Sequence, residues 1–210
     1  MAYDFKKEFR ELYQPGKTPA VVEVPPMQFV AIQGCGDPND EDGEYKRAVS
    51  ILYAIAYTIR MSGKGGRAIE GFYEFVVPPL EGLWWQGDGG PLDLSNKTGM
   101  CWTAMIRLPD FITEDDFRWA VAEAERKKKL NCSAAELMTL SEGICVQAMH
   151  VGPYETEQET IAVMDGFASE HGYVPDISNT RRHHEIYLSD PRRTAPERLK
   201  TIVRHPVRSA

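Results

Sequence analysis

One order of elements, strand, helix, strand, strand, can be read twice along the 210 residues. Such repetition limits the possible folds more than any single motif does. In the first pass, residues 27–33 are rich in Val, Ile and Phe and bounded by Pro25-Pro26 and Gly34, which predicts a strand. A loop of Gly, Asp, Pro and Asn leads to a helix beginning near Gly43. Its Tyr45, Ala48, Leu52, Ile55 and Ile59 fall at spacings of three and four, and Gly63 is the expected stop. Residues 71–77 and 100–108 read as the remaining strands, separated by Pro78-Pro79 and a long loop carrying Trp84 and Trp85. The glycine-rich 62–66 stretch has neither P-loop nor dinucleotide spacing and reads as a turn.

The second pass begins with a strand at 141–150 and a turn at Gly152-Pro153. Thr156 and Glu159 match a capping box, opening a helix buried through Ile161, Met164 and Phe167 and ended by Gly172. A strand over 183–188 stops at Ser189-Asp190-Pro191. Thr194 as N-cap, Pro196 and Glu197 then predict one helical turn before a closing strand through Ile202 and Val203. Between the units, Thr113 starts a helix with an acidic first turn and apolar Phe117, Val121 and Ala124, followed by a connector over 131–140 with a short helical turn. The expected fold is α+β in one domain over 1–210, with unit one at about 27–108, a connecting region at 113–140 and unit two at about 141–207. Two β-α-β-β units form a pseudo-twofold body with a central ligand cleft, since sites at such junctions are common.

A net charge of -7 argues against nucleic acid as a partner, because phosphate contacts need clustered cations. The one basic run, from Arg126 to Lys129, complements the end of a helix dipole. No apolar run is long enough to span a membrane and the first residues are too charged for a signal peptide, so a cytoplasmic location is expected. Cys35, Cys101, Cys132 and Cys145 are scattered without a CxxC pair and read as reduced thiols.

Chemistry concentrates on the 183–188 strand. Alternation places His183, Glu185 and Tyr187 on one face and His184, Ile186 and Leu188 on the other, which reads as the apolar side. The expected second strand of unit one offers Tyr73 and Phe75 on one face, or Phe72, Glu74 and Val76 on the other. Two adjacent tryptophans are costly to leave in water, so Trp84 and Trp85 pack over something, either the core or a ligand. His150, His171 and His205 fit no metal-ligand spacing, and there is no GxSxG.

The segments HVGPYETEQET and HHEIYLSDPRRTAPERLKTIVRHPV resemble the stand-alone GyrI-like small-molecule-binding proteins, and the likeness extends over nearly the whole chain. The resemblance implies paired SHS2-type β-α-β-β units facing across a hydrophobic cleft. Relatives fused to helix-turn-helix domains sense bulky, often cationic drugs, and no such DNA-binding segment is recognisable here. Some stand-alone members are hydrolases that open the cyclopropane of genotoxins related to duocarmycin and yatakemycin. The family's pocket glutamate falls on Glu185, with Tyr187 two residues along as its catalytic partner. Tyr73, Phe75, Trp84, Trp85, Trp102, Tyr154 and His183 are the expected substrate contacts. The resemblance implies a small hydrophobic planar ligand, no metal and no cofactor; its alternative is a protein that binds or sequesters such molecules without breaking a bond.

Overall fold

The runs of β-branched and aromatic residues form one antiparallel sheet in this computed structural model, which describes residues 2–90, 92–93 and 96–210. Its strands are β1 (Ala20–Val24), β2 (Met27–Cys35), β3 (Leu80–Gln86), β4 (Met100–Arg107), β5 (Glu136–Leu140), β6 (Gly143–Val151), β7 (Tyr173–Pro175), β8 (His183–Tyr187) and β9 (Lys200–Ser209). The order across the sheet is β1-β6-β9-β8-β3-β4-β2-β5, with β7 added beside the end of β9. Read outward from the centre, β3-β4-β2 mirrors β8-β9-β6, so the same threading occurs in each half and the middle strands of the two halves pair with each other. β1 runs into β2 across Pro25-Pro26, and β5 into β6 across Ser141-Glu142. Each of these bent strands pairs with the other on both sides of its bend, which curls the sheet round.

Both sheet faces are covered. Helices α3 (Glu44–Arg60) and α5 (Glu157–Glu170) lie over one face, each with a buried apolar stripe: Ala48, Leu52, Ile55 and Ile59 on α3, and Ile161, Met164 and Ala168 on α5. Helix α4 (Glu114–Lys128) packs outside α3 and opens with the predicted Thr113 cap, completed as a capping box by Asp116. The short helices α1 (Phe5–Glu8) and α2 (Arg10–Tyr13) cover the opposite face with Phe5, Leu12 and Tyr13. Among the described residues no helix is long and apolar enough to cross a membrane.

Several expectations are corrected. Residues 71–77 form no strand beyond a single bridge from Phe75 to Tyr3. Gly71 takes a positive φ, and Tyr73 and Val76 are part-exposed. The second strand begins after Pro78-Pro79, so Trp84 and Trp85 sit on β3 and not on a loop. The connector holds a strand, β5, recruited by pairing with β2. Helix α3 ends at Met61 and a 3-10 turn, with Gly66 and not Gly63 in the left-handed conformation. Thr156 makes no cap bond; its hydroxyl donates to the Pro153 carbonyl at 2.8 Å. Thr194 likewise caps nothing, and the turn at Pro196–Arg198 is 3-10 with Ala195 at its N-cap. Cys35 and Cys101 are directly opposed on β2 and β4 and form a disulfide, whereas Cys132 and Cys145 are free and buried.

The face expected to be apolar behind Glu185 is instead ionic. His184 bonds Glu81 Oε2 through Nε2 at 3.0 Å and Glu142 Oε1 through Nδ1 at 2.9 Å. Arg204 bonds Glu142 Oε2 at 2.9 Å, Gln147 Oε1 at 3.0 Å and the Leu12 carbonyl at 3.0 Å, while the Tyr13 hydroxyl donates to Glu81 at 2.9 Å. Two carboxylates thus face one imidazolium and one guanidinium, and all four side chains are buried. Burial alone would lower the His184 pKa, but Glu142 and then Glu81 outweigh it and raise it to about 9. Burial would raise Glu142, but His184 and Arg204 bring it to about 2.

The stabilisation tied to His184 is therefore complete below its ordinary 6.5 and lost as pH rises through about 9. That tied to Glu142 is complete above its ordinary 4.5 and lost as pH falls through about 2. Chemical unfolding followed across pH should show both limbs. His184→Ala should lower stability by about 3–5 kcal/mol, because it leaves buried Glu81 without a cation, and should flatten the alkaline limb. An alkaline limb unchanged in that variant would show that another group carries it.

Candidate functional site

The central pairing of β3 with β8 sets Gly82 opposite Glu185 and Trp84 opposite His183. A side chain at position 82 would crowd this point: a Cβ there would lie 2.7 Å from Trp84 Nε1 and 3.3 Å from the Tyr187 hydroxyl. Glycine instead lets the indole lie across the strand and donate from Nε1 to Tyr187 at 2.9 Å. Trp84 also meets Tyr45 from α3 at a ring separation of 5.3 Å, and Tyr45 meets Trp102 edge-on at 5.0 Å. Tyr154, from the turn before α5, stands perpendicular to Tyr187 at 5.9 Å. Trp84 and Trp102 are buried, and the three tyrosines are half-buried.

Glu185 lies among these rings, 5% exposed, and accepts a hydrogen bond from His183 Nε2 at 3.0 Å. Its second neighbour is Glu157, at the start of α5. Glu157, His183 and Glu185 each bring one polar atom within 4.8 Å of the others. Glu157 is fully buried, with Glu185 and the Thr201 hydroxyl as its polar neighbours. Burial and then the Glu185 charge hold its pKa well above the usual carboxylate range. Three donor atoms at this spacing are within reach of one cation. A proton on Glu157 and the bond from His183 to Glu185 answer the same charge, so the arrangement is that of a proton-sharing pair.

Burial, and then the Glu185 carboxylate, push the Tyr154 hydroxyl up to about 12 and raise Tyr45 and Tyr187 as well. All three therefore stay protonated at neutral pH and can donate to a developing negative charge. A recess of about 180 Å³ opens beside His183, lined by that residue, His205, Asp165 and Gln158 together with apolar side chains that include Ile161 and Ile177.

Of the residues singled out from sequence, Glu185, Tyr187, His183, Trp84 and Tyr154 come together, with Trp102 one ring further out. Trp85 does not join them: it faces the other side of β3, where Arg182 stacks on it at 4.5 Å. Tyr73 and Phe75 lie instead against Tyr3, Phe5 and Phe111. Glu157 and Tyr45 escaped the sequence reading. A glutamate in a first helical turn is ordinarily a solvated complement to the dipole, and Tyr45 counted as one member of an apolar stripe. The signal available was their shared position, each in the first turn of the helix that crosses its half of the sheet.

The GyrI-like small molecule binding domain matches residues 17–208 of the chain. Among solved structures, a hydrolase from Listeria innocua is 45% identical, aligning 98% of this chain with 100% of that one at a TM-score of 0.89. An uncharacterized conserved protein from the same organism is 46% identical over 98% of this chain and 100% of that one, at a TM-score of 0.92. The C-terminal domain of EcmrR is 12% identical, with 91% and 98% of the two chains aligned at a TM-score of 0.50, a likeness of fold alone. No curated protein matches the chain.

A planar aromatic ligand seated beside Glu185 should quench Trp84 and leave Trp85 largely unaffected. Titrating such a ligand into Trp84→Phe should therefore show much less quenching than into Trp85→Phe, at a stability cost near about 1 kcal/mol for the lost Nε1 hydrogen bond. Equal quenching in the two variants would place the ligand elsewhere.

Proposed function

The chain belongs to the GyrI-like small-molecule-binding family, and on that premise we propose that it is a hydrolase that adds water to the strained cyclopropane of planar cyclopropanoid genotoxins. The observation that carries this reading is the buried pair Glu157 and Glu185, enclosed by Trp84 and by three tyrosines that keep their protons. The hydrolase from Listeria innocua, similar over almost all of both chains, supports an enzyme over a passive binder.

In the proposed reaction the drug stacks on the aromatic walls. Glu185 takes a proton from a water molecule as the water oxygen bonds to the ring methylene. The cyclopropane carbon–carbon bond breaks, and its electron pair moves through the ring system to the carbonyl oxygen, which ends as a phenol once protonated. The tyrosine hydroxyls are the donors available to that oxygen as charge develops. General-base help of this kind is worth about two to four orders of magnitude. Glu157, whose pKa burial raises, carries the proton of the pair and leaves Glu185 as the acceptor.

The product of this reaction is a detoxified alcohol that no longer alkylates DNA. The second reading, sequestration of a bulky cationic molecule, draws on the same two carboxylates facing each other in an apolar setting.

Glu185→Gln separates the two readings. In a hydrolase, steady-state turnover of a neutral cyclopropanoid should fall by about two orders of magnitude or more while equilibrium binding persists. Glu157→Gln, which imitates the protonated acid, should cost much less. Undiminished turnover in Glu185→Gln would remove Glu185 from the chemistry. A wild type that binds the drug and returns it unchanged, with the Gln variant losing only cationic ligands, would establish sequestration.

A further inference from the structure

Glu185 is joined to the surface by a line of polar side chains that the proposed chemistry does not itself use. His183 Nε2 meets Glu185 Oε1 at 3.0 Å, and His183 Nδ1 meets His205 Nε2 at 2.7 Å. His205 Nδ1 lies 3.9 Å from Asp165 Oδ1, short enough for a rotation of the half-exposed Asp165 side chain to close. His183 and His205 are cross-strand neighbours on β8 and β9, and both rings are buried. His205 Nδ1 has no hydrogen-bond partner among the described residues. Asp165, His183 and His205 together line the 180 Å³ recess. A buried ring nitrogen left unpaired costs free energy unless something mobile, such as water, fills the role.

We infer that His183 and His205 form a proton relay that connects the buried carboxylate pair to solvent at Asp165. The relay rests on the hydrolytic reading and deepens it, because a base that has taken a proton from water must release it before the next turnover.

The bonding is consistent in both protonation states. With Glu185 ionised, His183 donates from Nε2 to the carboxylate and accepts at Nδ1 from His205 Nε2–H. That leaves His205 Nδ1 as a bare acceptor, matching its lack of a hydrogen-bond partner among the described residues. With Glu185 protonated, its O–H donates to His183 Nε2, His183 Nδ1–H donates to His205 Nε2, and His205 Nδ1–H points at Asp165 or at water in the recess. The two states interconvert when each proton moves across one hydrogen bond. The proton leaves Glu185 and another leaves His205 Nδ1, neither ring ending with a net gain or loss. Burial lowers the His205 pKa, which keeps that ring neutral and able to pass a proton on. The other ionisable groups facing the line are Glu157 from α5, Asp165 itself and, at the Glu185 end, Tyr45, Tyr154 and Tyr187.

The variants that test this are His205→Ala, which breaks the line and leaves room for an added imidazole, and Asp165→Asn on the helix surface, where folding is not at stake. With a neutral cyclopropanoid, His205→Ala should lower kcat by about tenfold with little change in KM, and imidazole should restore much of the rate. Asp165→Asn should slow turnover more mildly and make it depend on buffer concentration. Unchanged kcat in both variants, or a loss in His205→Ala that neither imidazole nor buffer repairs, would overturn the relay and leave the hydrolytic reading standing. Should the wild type turn over no cyclopropanoid, the hydrolytic reading fails by itself. Nitrogen-15 spectra of the free protein then decide the relay: His183 and His205 should exchange tautomers together, and independent exchange would overturn it.

Discussion

The pairing of β3 with β8 sets Glu81, His184 and Glu185 at the middle of a sheet covered on both sides, so each charge there has to be answered by another side chain. This requirement organises much of the structure. It brings Tyr13 and the Leu12 carbonyl down from the N-terminal segment, Glu142 in from the β5–β6 connection, and Arg204 across from β9. It also shapes the other face, where Gly82 gives up its side chain so that Trp84 and Tyr187 can approach Glu185.

The two faces of β8 resolve the same difficulty differently. Behind the strand the charges cancel and the hydrogen bonds close, so the cluster is structural and its loss is felt as instability. In front, two carboxylates meet with no permanent cation, and the balance is held by a proton. An arrangement that stores a labile charge in an apolar enclosure is poor economy for stability alone. It is what a site that binds a cation or moves a proton requires.

The strands at 27–35 and 100–107 and the helices at 44–60, 114–128 and 157–170 were legible because one period of hydrophobicity ran through each. The second strand of unit one was misplaced because residues 71–77 carry the better local β composition, whereas 80–86 gains its strand conformation from neighbours on both sides. His184 was assigned to an apolar face because alternation says which residues share a side and nothing about what covers that side. The site divides the same way. Glu185, His183 and Tyr187 sit on one strand and could be read together, while Glu157, Tyr45 and His205 arrive from elements far apart in sequence. Only the folded sheet brings them within reach.

The guanidinium of Arg204 bonds the carbonyl of Leu12 across a separation of 192 residues, on the strand that follows all the others in the chain. A ribosome therefore delivers Glu81, Glu142 and His184 well before the cation that completes their balance. Until residue 204 has emerged, the middle of the sheet carries excess negative charge with nowhere dry to put it, and β8 lacks its β9 neighbour. Completion of the core is thereby tied to the last strand of the chain, which brings both the missing cation and the second neighbour of β8.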